Sequence, residues 1–129
     1  MKKNILVVDD SQAILDVMSI ALEAEGYKVS TSLTGAYFRH MERNLPDLIL
    51  LDVLLSGEDG SEICKHLKSD EHTRHIPLIL ISAHAGLQGT ARRCGADGFL
   101  IKPFHLSELK EIVNRYIGPP TILSGDGTA

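Results

Sequence analysis

Residues 48–60 read LILLDVLLSGEDG. Four apolar residues run into an acid, Asp52, three more apolar residues follow, and small and acidic residues close the stretch. A carboxylate in such surroundings is costly unless it is paired, metal-bound or at the water boundary. Asp52 therefore either ends a strand at the surface or has a partner.

Working outward, the same kind of run recurs along the chain: NILVV at 4–8, YKVSTS at 27–32, DLILL at 47–51, PLILIS at 77–82 and GFLI at 98–101. Several are apolar on consecutive positions, the pattern of strands buried on both faces. Helical stripes lie between them. Ile14, Leu15, Met18 and Leu22 form one, closed by Gly26. Tyr37, Phe38, Met41 and Leu45 form a second before Pro46, and Ile63 and Leu67 mark a third after Gly60. Leu106, Leu109, Ile112, Val113 and Tyr116 mark the last. Segment 85–95 is weaker, with Leu87, Ala91 and Cys94 at helical spacing but also Gly86 and Gly89. Strand–helix alternation repeated five times predicts an α/β fold, a parallel sheet with helices on both faces. The small, proline-bearing GPPTILSGDGTA at 118–129 reads as a flexible tail or linker start, which leaves 1–117 as the domain.

The bulk composition narrows the function. The 129 residues suit one domain, 43% hydrophobic and 23% charged, and the net charge of −4 gives no basic footprint for nucleic acid. Cys64 and Cys94 lie far apart with no CxxC and no ligand cluster, so they read as reduced, small apolar residues. MKKNILVVDD is too short in apolar residues for a signal peptide, and no stretch reaches membrane-spanning length. The expected location is the cytoplasm, with no membrane contact. His72 and His75 in HTRH lack further ligands nearby for zinc. EDG at 58–60 and GDG at 125–127 are turn chemistry.

In an open parallel sheet, ligands bind beyond the carboxyl ends of the strands. The polar residues there are Asp9 and Asp10, Asp52, Ser82 and Lys102. Each has a plain local use: Asp10 or Ser11 as a helix cap, Ser82 as a turn hydroxyl, Lys102 on the surface. Their coincidence at matched strand ends is what carries meaning. Three neighbouring carboxylates repel, a divalent cation relieves the repulsion, and an oxygen-only ligand set favours Mg²⁺. Acids, metal, ammonium and hydroxyl together describe a phosphoryl site, with Asp52 as the nucleophile forming an aspartyl phosphate.

ILVVDDSQ, DLILLDVLLSGEDG, IPLILISAHA and GADGFLIKPF resemble the signature blocks of the receiver domain of two-component response regulators, over roughly 3–117. The resemblance implies a flavodoxin-like, doubly wound five-stranded sheet of order 2-1-3-4-5. It implies a phosphoacceptor rather than an enzyme, one that assists only its own phosphorylation and dephosphorylation. Asp52 would receive the phosphoryl group from a sensor histidine kinase or phosphotransfer protein. Asp10 and Asp52 would bind Mg²⁺ directly, Asp9 through water, with the Leu54 carbonyl as a further ligand. Lys102 and Ser82 would contact the phosphoryl oxygens, Phe99 would be the switch aromatic, and the Lys102–Pro103 bond would be cis. The output face would be the helix at 85–95, the strand at 98–101 and the last helix, read by a downstream protein; phosphorylation-dependent homodimerisation fits the same scheme.

The chain departs from the family pattern at four places. Ser56 replaces the usual proline four residues after Asp52. Leu54 and His84 occupy the positions that tune phosphoryl lifetime, and Phe99 is not tyrosine. Ser82 to Lys102 is about two residues shorter than usual, which shortens the region around Gly86 and Gly89. Competing readings are an aspartyl-phosphate phosphatase of the haloacid dehalogenase type, a flavodoxin-like cofactor binder, and a degenerate receiver used only for docking. The first wants an acid where Leu54 stands; the second wants a phosphate loop where DDSQAI stands.

Overall fold

The apolar runs become the five parallel strands of one sheet: β1 (Asn4–Val8), β2 (Lys28–Ser32), β3 (Leu48–Asp52), β4 (Leu78–Ser82) and β5 (Gly98–Ile101). The structure is a computed structural model and describes residues 2–40 and 44–119. The strand order is β2-β1-β3-β4-β5, as expected. Ile5 registers with both Val29 and Leu48, Ile49 with Leu78, and Ile79 with Gly98. The chain runs outward from β1 to β2 and then returns to β3 on the other side of β1. Connections leave the ends of β1 and β3 in opposite directions, which opens a crevice between them.

Side chains alternate across each strand, so the consecutive apolar runs feed two cores. Leu6, Val8, Ile49, Leu51, Leu78 and Leu80 face one side, packed under α2 (Gly60–Ser69) and α3 (Leu87–Cys94). Ile5, Val7, Leu48, Leu50, Ile79 and Ile81 face the other, under α1 (Gln12–Ala24) and α4 (Leu106–Ile117). Local chemistry starts and stops these helices. Ser11 caps α1, its Oγ accepting from the Ile14 N–H at 3.3 Å. Asp59 caps α2, its Oδ1 accepting from the Ser61 N–H at 2.9 Å. Gly95 ends α3 in the left-handed region at φ 82°. At eight residues α3 is the shortest α-helix among the described residues, where the sequence runs short between Ser82 and Lys102.

Two elements differ from the sequence reading. The second stripe is a 3₁₀ helix, Gly35–His40, rather than an α-helix. Its first donors go to side chains, the Gly35 N–H to Glu58 Oε1 at 2.7 Å and the Ala36 N–H to Thr34 Oγ1 at 3.1 Å. Tyr37 and Phe38 still pack on the α2/α3 side of the sheet, edge to face at 6.4 Å. Met41 of that stripe lies outside the described residues. The loop after Asp52 is a minimal hairpin, in which Leu54 pairs with Asp59 and Leu55 with Glu58. Ser56 and Gly57 make its turn, Gly57 at φ 73°. From residue 120 on, the tail read into 118–129 lies outside the described residues. No described helix is long and apolar enough to cross a membrane.

Candidate functional site

The crevice at the ends of β1 and β3 holds the acids. Asp9 directly follows β1, and its N–H donates to the Ser32 carbonyl at 3.1 Å. Only 1% of Asp9 is exposed. Its Oδ1 accepts from the Ser11 N–H at 2.9 Å, which turns the chain into α1. Asp52 closes β3 opposite Ile81 and is 4% exposed, its Oδ1 accepting from the Leu54 N–H at 3.2 Å. Asp10 is exposed at the mouth. Oxygens of all three carboxylates lie within 4.8 Å of one another.

Lys102 reaches the same place from β5. Its N–H donates to the Ser82 carbonyl at 2.9 Å, and the next peptide bond, to Pro103, is cis. The ammonium lies 2.9 Å from Asp9 Oδ2 and 3.4 Å from Asp52 Oδ2. The Lys102 ammonium thus bridges two of the three carboxylates, Asp9 and Asp52, and the cluster stays net negative. Burial holds the Asp52 carboxyl above its ordinary pKa, reinforced by the Asp9 charge and opposed by Lys102. For Lys102, burial is the largest single influence and lowers its pKa. The hydrogen bond to Asp9 and the charges of Asp52 and Asp9 together outweigh it, so the ammonium is held above its ordinary value. An oxygen-only donor set with uncompensated negative charge and an open mouth fits Mg²⁺.

The remaining residues expected at the site sit as follows. Ser82 ends β4, 1% exposed, and its Oγ accepts from the His84 N–H at 3.0 Å. Leu54 begins the hairpin with its side chain 66% exposed. Phe99 is paired with Leu80 and half-buried on the α2/α3 side, in a shallow hollow of about 450 Å³ shared with Ala91 and Tyr116.

Three features escaped the sequence reading. The Ser56 hydroxyl donates to Asp10 Oδ2 at 3.1 Å, a bond the usual proline could not make. Gly60 packs directly beneath the Asp52 backbone: a Cβ there would lie 2.1 Å from the Asp52 carbonyl oxygen. An apolar hollow of about 510 Å³ borders Lys102, formed by Ile14, Val17 and Met18 of α1 with Pro103, Phe104 and Leu106. Val17 and the nearby Ile20 are 52% and 70% exposed. The available signal was that both are apolar yet fall off the buried stripe of α1.

A family model for the response regulator receiver domain matches residues 5–114. The chain belongs to that family. The receiver shares 46% identity over 108 residues with "Response regulator PleD" of Caulobacter vibrioides, covering 80% of this chain and 23% of PleD. It shares 32% over 121 residues with "Polar-differentiation response regulator DivK" of Brucella ovis, covering 92% of this chain and 98% of DivK. It thus spans under a quarter of the one relative and nearly all of the other. Among solved structures it is similar to the receiver domain of the sensor histidine kinase PA1611 from Pseudomonas aeruginosa. That likeness has a TM-score of 0.80 and 32% identity, covering 92% of this chain and 99% of that one. The PA1611 structure has a magnesium ion coordinated in its active-site cleft. Receiver domains are signalling phosphoacceptors rather than turnover enzymes. They bind Mg²⁺ in the active site and work between histidine kinases and downstream effectors.

Proposed function

We propose that Asp52 takes a phosphoryl group from a phosphohistidine of a sensor kinase or phosphotransfer protein. The observation that carries this is the Lys102 ammonium spanning Asp9 and Asp52 in a net-negative crevice at the strand ends. An Asp52 oxygen attacks phosphorus; the P–O bond forms as the P–N bond breaks, and its electron pair returns to the imidazole. Lys102 then exchanges a carboxylate partner for a phosphoryl oxygen, and the Ser82 hydroxyl donates to another. Asp10, Asp52 and the Leu54 carbonyl would hold Mg²⁺, with Asp9 acting through water; when bound, the ion would neutralise the phosphoryl oxygens. Ser82 moving toward the phosphoryl group shifts the turn before α3, and Phe99 turns inward. That repacks the face of α3, β5 and α4 for a protein partner, a shift driven by contacts present only in the phosphorylated state. Residues 1–117 form the working unit, acting in the cytoplasm. Leu54, where a phosphatase would carry its second acid, argues against turnover of a separate substrate.

The test is intact mass after incubation with Mg²⁺ and a small acyl phosphate. One phosphoryl group should be gained with Mg²⁺ and none in chelator, and hydride trapping should locate it at position 52. No gain, or a gain elsewhere, would overturn the assignment.

Removing the cation tests the electrostatics. Lys102→Ala leaves Asp9 and Asp52 buried without their counterion, and breaking such a pair costs about 3 kcal/mol where one partner keeps some exposure. Urea denaturation in chelator should show that loss, and added Mg²⁺ should narrow it.

The apolar hollow beside Lys102 supports docking of the protein donor, whose histidine must come within bonding reach of Asp52. Val17→Asp with Ile20→Asp alters exposed positions and should leave stability nearly unchanged. Transfer from a protein donor should fall by about tenfold or more, the equivalent of one lost apolar anchor. Phosphorylation by the small donor should not change.

A further inference from the structure

Cys64 and Cys94 are distant in sequence, but the fold brings them into contact. Cys64 sits inside α2 with no exposed surface, and Cys94 is the last residue of α3, 7% exposed. Both side chains belong to the core beneath α2 and α3, and their sulfurs are 3.0 Å apart. A disulfide bond is about 2.05 Å long, so closure needs an approach of about 1 Å. The ion pair of Lys68 on α2 with Asp97, just beyond α3, holds the two helices together beside the cysteines at 2.8 Å. Cys94 also lines an open cleft of about 490 Å³ between the helices, whose charged lining sets Lys65 and Arg93 against Glu58, Asp59 and Glu62. Cys64 does not line that cleft, so a small oxidant entering it meets Cys94 first.

We propose that Cys64 and Cys94 are an oxidisable pair that a hydroperoxide closes to an intramolecular disulfide. Cys94 reacts first. Its sulfur attacks the peroxide, the O–O bond breaks, one oxygen stays as the sulfenic acid and the other leaves as water or an alcohol. Cys64 then attacks the Cys94 sulfur, the S–S bond forms and the sulfenic oxygen leaves as water. Two thiols give two electrons, and one peroxide is fully reduced. Burial, then the Cys94 hydrogen bond, pushes the Cys64 thiol pKa up, which makes it a poor nucleophile toward a free peroxide; its attack on Cys94 relies instead on the 3.0 Å contact the fold already makes. The product staples the C-terminal end of α3 to α2, next to the face through which the receiver is proposed to signal. The thiol chemistry itself stands independently of phosphorylation.

The test uses the full chain, folded, treated with hydrogen peroxide and quenched. The expected result is a mass loss of two hydrogens, both thiols blocked to alkylation after denaturation, and one cross-linked peptide pair joining Cys64 to Cys94. Reductant should reverse all three. Cys64→Ser should stop at a sulfenic acid on Cys94 that a dione reagent traps, while Cys94→Ser should remain unmodified. Two free thiols after treatment, oxygen additions without loss of hydrogen, or a link between two chains would each overturn the proposal. The wild-type measurement decides the matter even if a serine variant fails to fold.

Discussion

Asp52→Asn should take up no phosphate and, in chelator, should be more stable than the wild type. The first effect follows from losing the carboxylate proposed as the nucleophile. The second follows from what the fold does to it. The Asp52 carboxyl is held above its ordinary value of 3.8, foremost by burial and then by the charge of Asp9. Between that ordinary value, which the unfolded chain keeps, and the raised folded value, the folded state binds the more protons. Stability contributed by this group therefore falls as pH rises through that window, and the full loss is in place above it. Asparagine does not titrate. The stability gap between variant and wild type should open from about pH 3.8 upward and then level off. Urea denaturation across pH in chelator measures this gap directly. Mg²⁺ should reverse the ranking, since binding to the native state alone adds about 2.7 kcal/mol at a hundredfold excess over Kd, and the variant has lost one of the proposed ligands. A variant less stable than wild type in chelator would show that burial and the Asp9 charge do not outweigh Lys102 at the Asp52 carboxylate.

Gly60→Ala should cost about 3 kcal/mol or more, at the upper end for overpacking, because the clash is with backbone. The added Cβ would meet the Asp52 carbonyl oxygen at 2.1 Å and the Val53 Cα at 2.8 Å, and neither can rotate away. Relief requires β3 and α2 to separate, which breaks the 2.7 Å hydrogen bond from the Gly60 N–H to the Val53 carbonyl. That movement would carry Asp52 out of line with Asp9 and Lys102, so whatever folds should also bind Mg²⁺ poorly. Thermal melting with and without Mg²⁺ checks both effects. A near-neutral melt would mean that the start of α2 can shift without disturbing β3.

Much of this molecule is legible from local pattern. Consecutive apolar runs such as LILL and LILI announce strands covered on both faces, because only a buried parallel strand puts both parities of its side chains into a core. The helical stripes of α1 and α4 are equally direct, since a one-sided helix repeats its apolar residues every three or four positions. The second stripe misled because Tyr37 and Phe38 satisfy a helical pattern and a 3₁₀ turn alike. Periodicity cannot show that Glu58 and Thr34 side chains take the first donors.

The sequence alone determined which residues end each strand, and hence that Asp9, Asp10, Asp52, Ser82 and Lys102 belong to one edge of a parallel sheet. Strand ends are local, and parallel strands put all their carboxyl ends on one side. The tertiary structure alone decided the contacts whose partners are far apart in the chain. It set the Lys102 ammonium between Asp9 and Asp52, the Ser56 hydroxyl on Asp10, Gly60 beneath the Asp52 backbone, and the Cys64 sulfur 3.0 Å from that of Cys94. Each depends on helix and turn positions to within about 1 Å, the tolerance of close packing, and those positions are set by the two cores as wholes rather than by any stretch of residues.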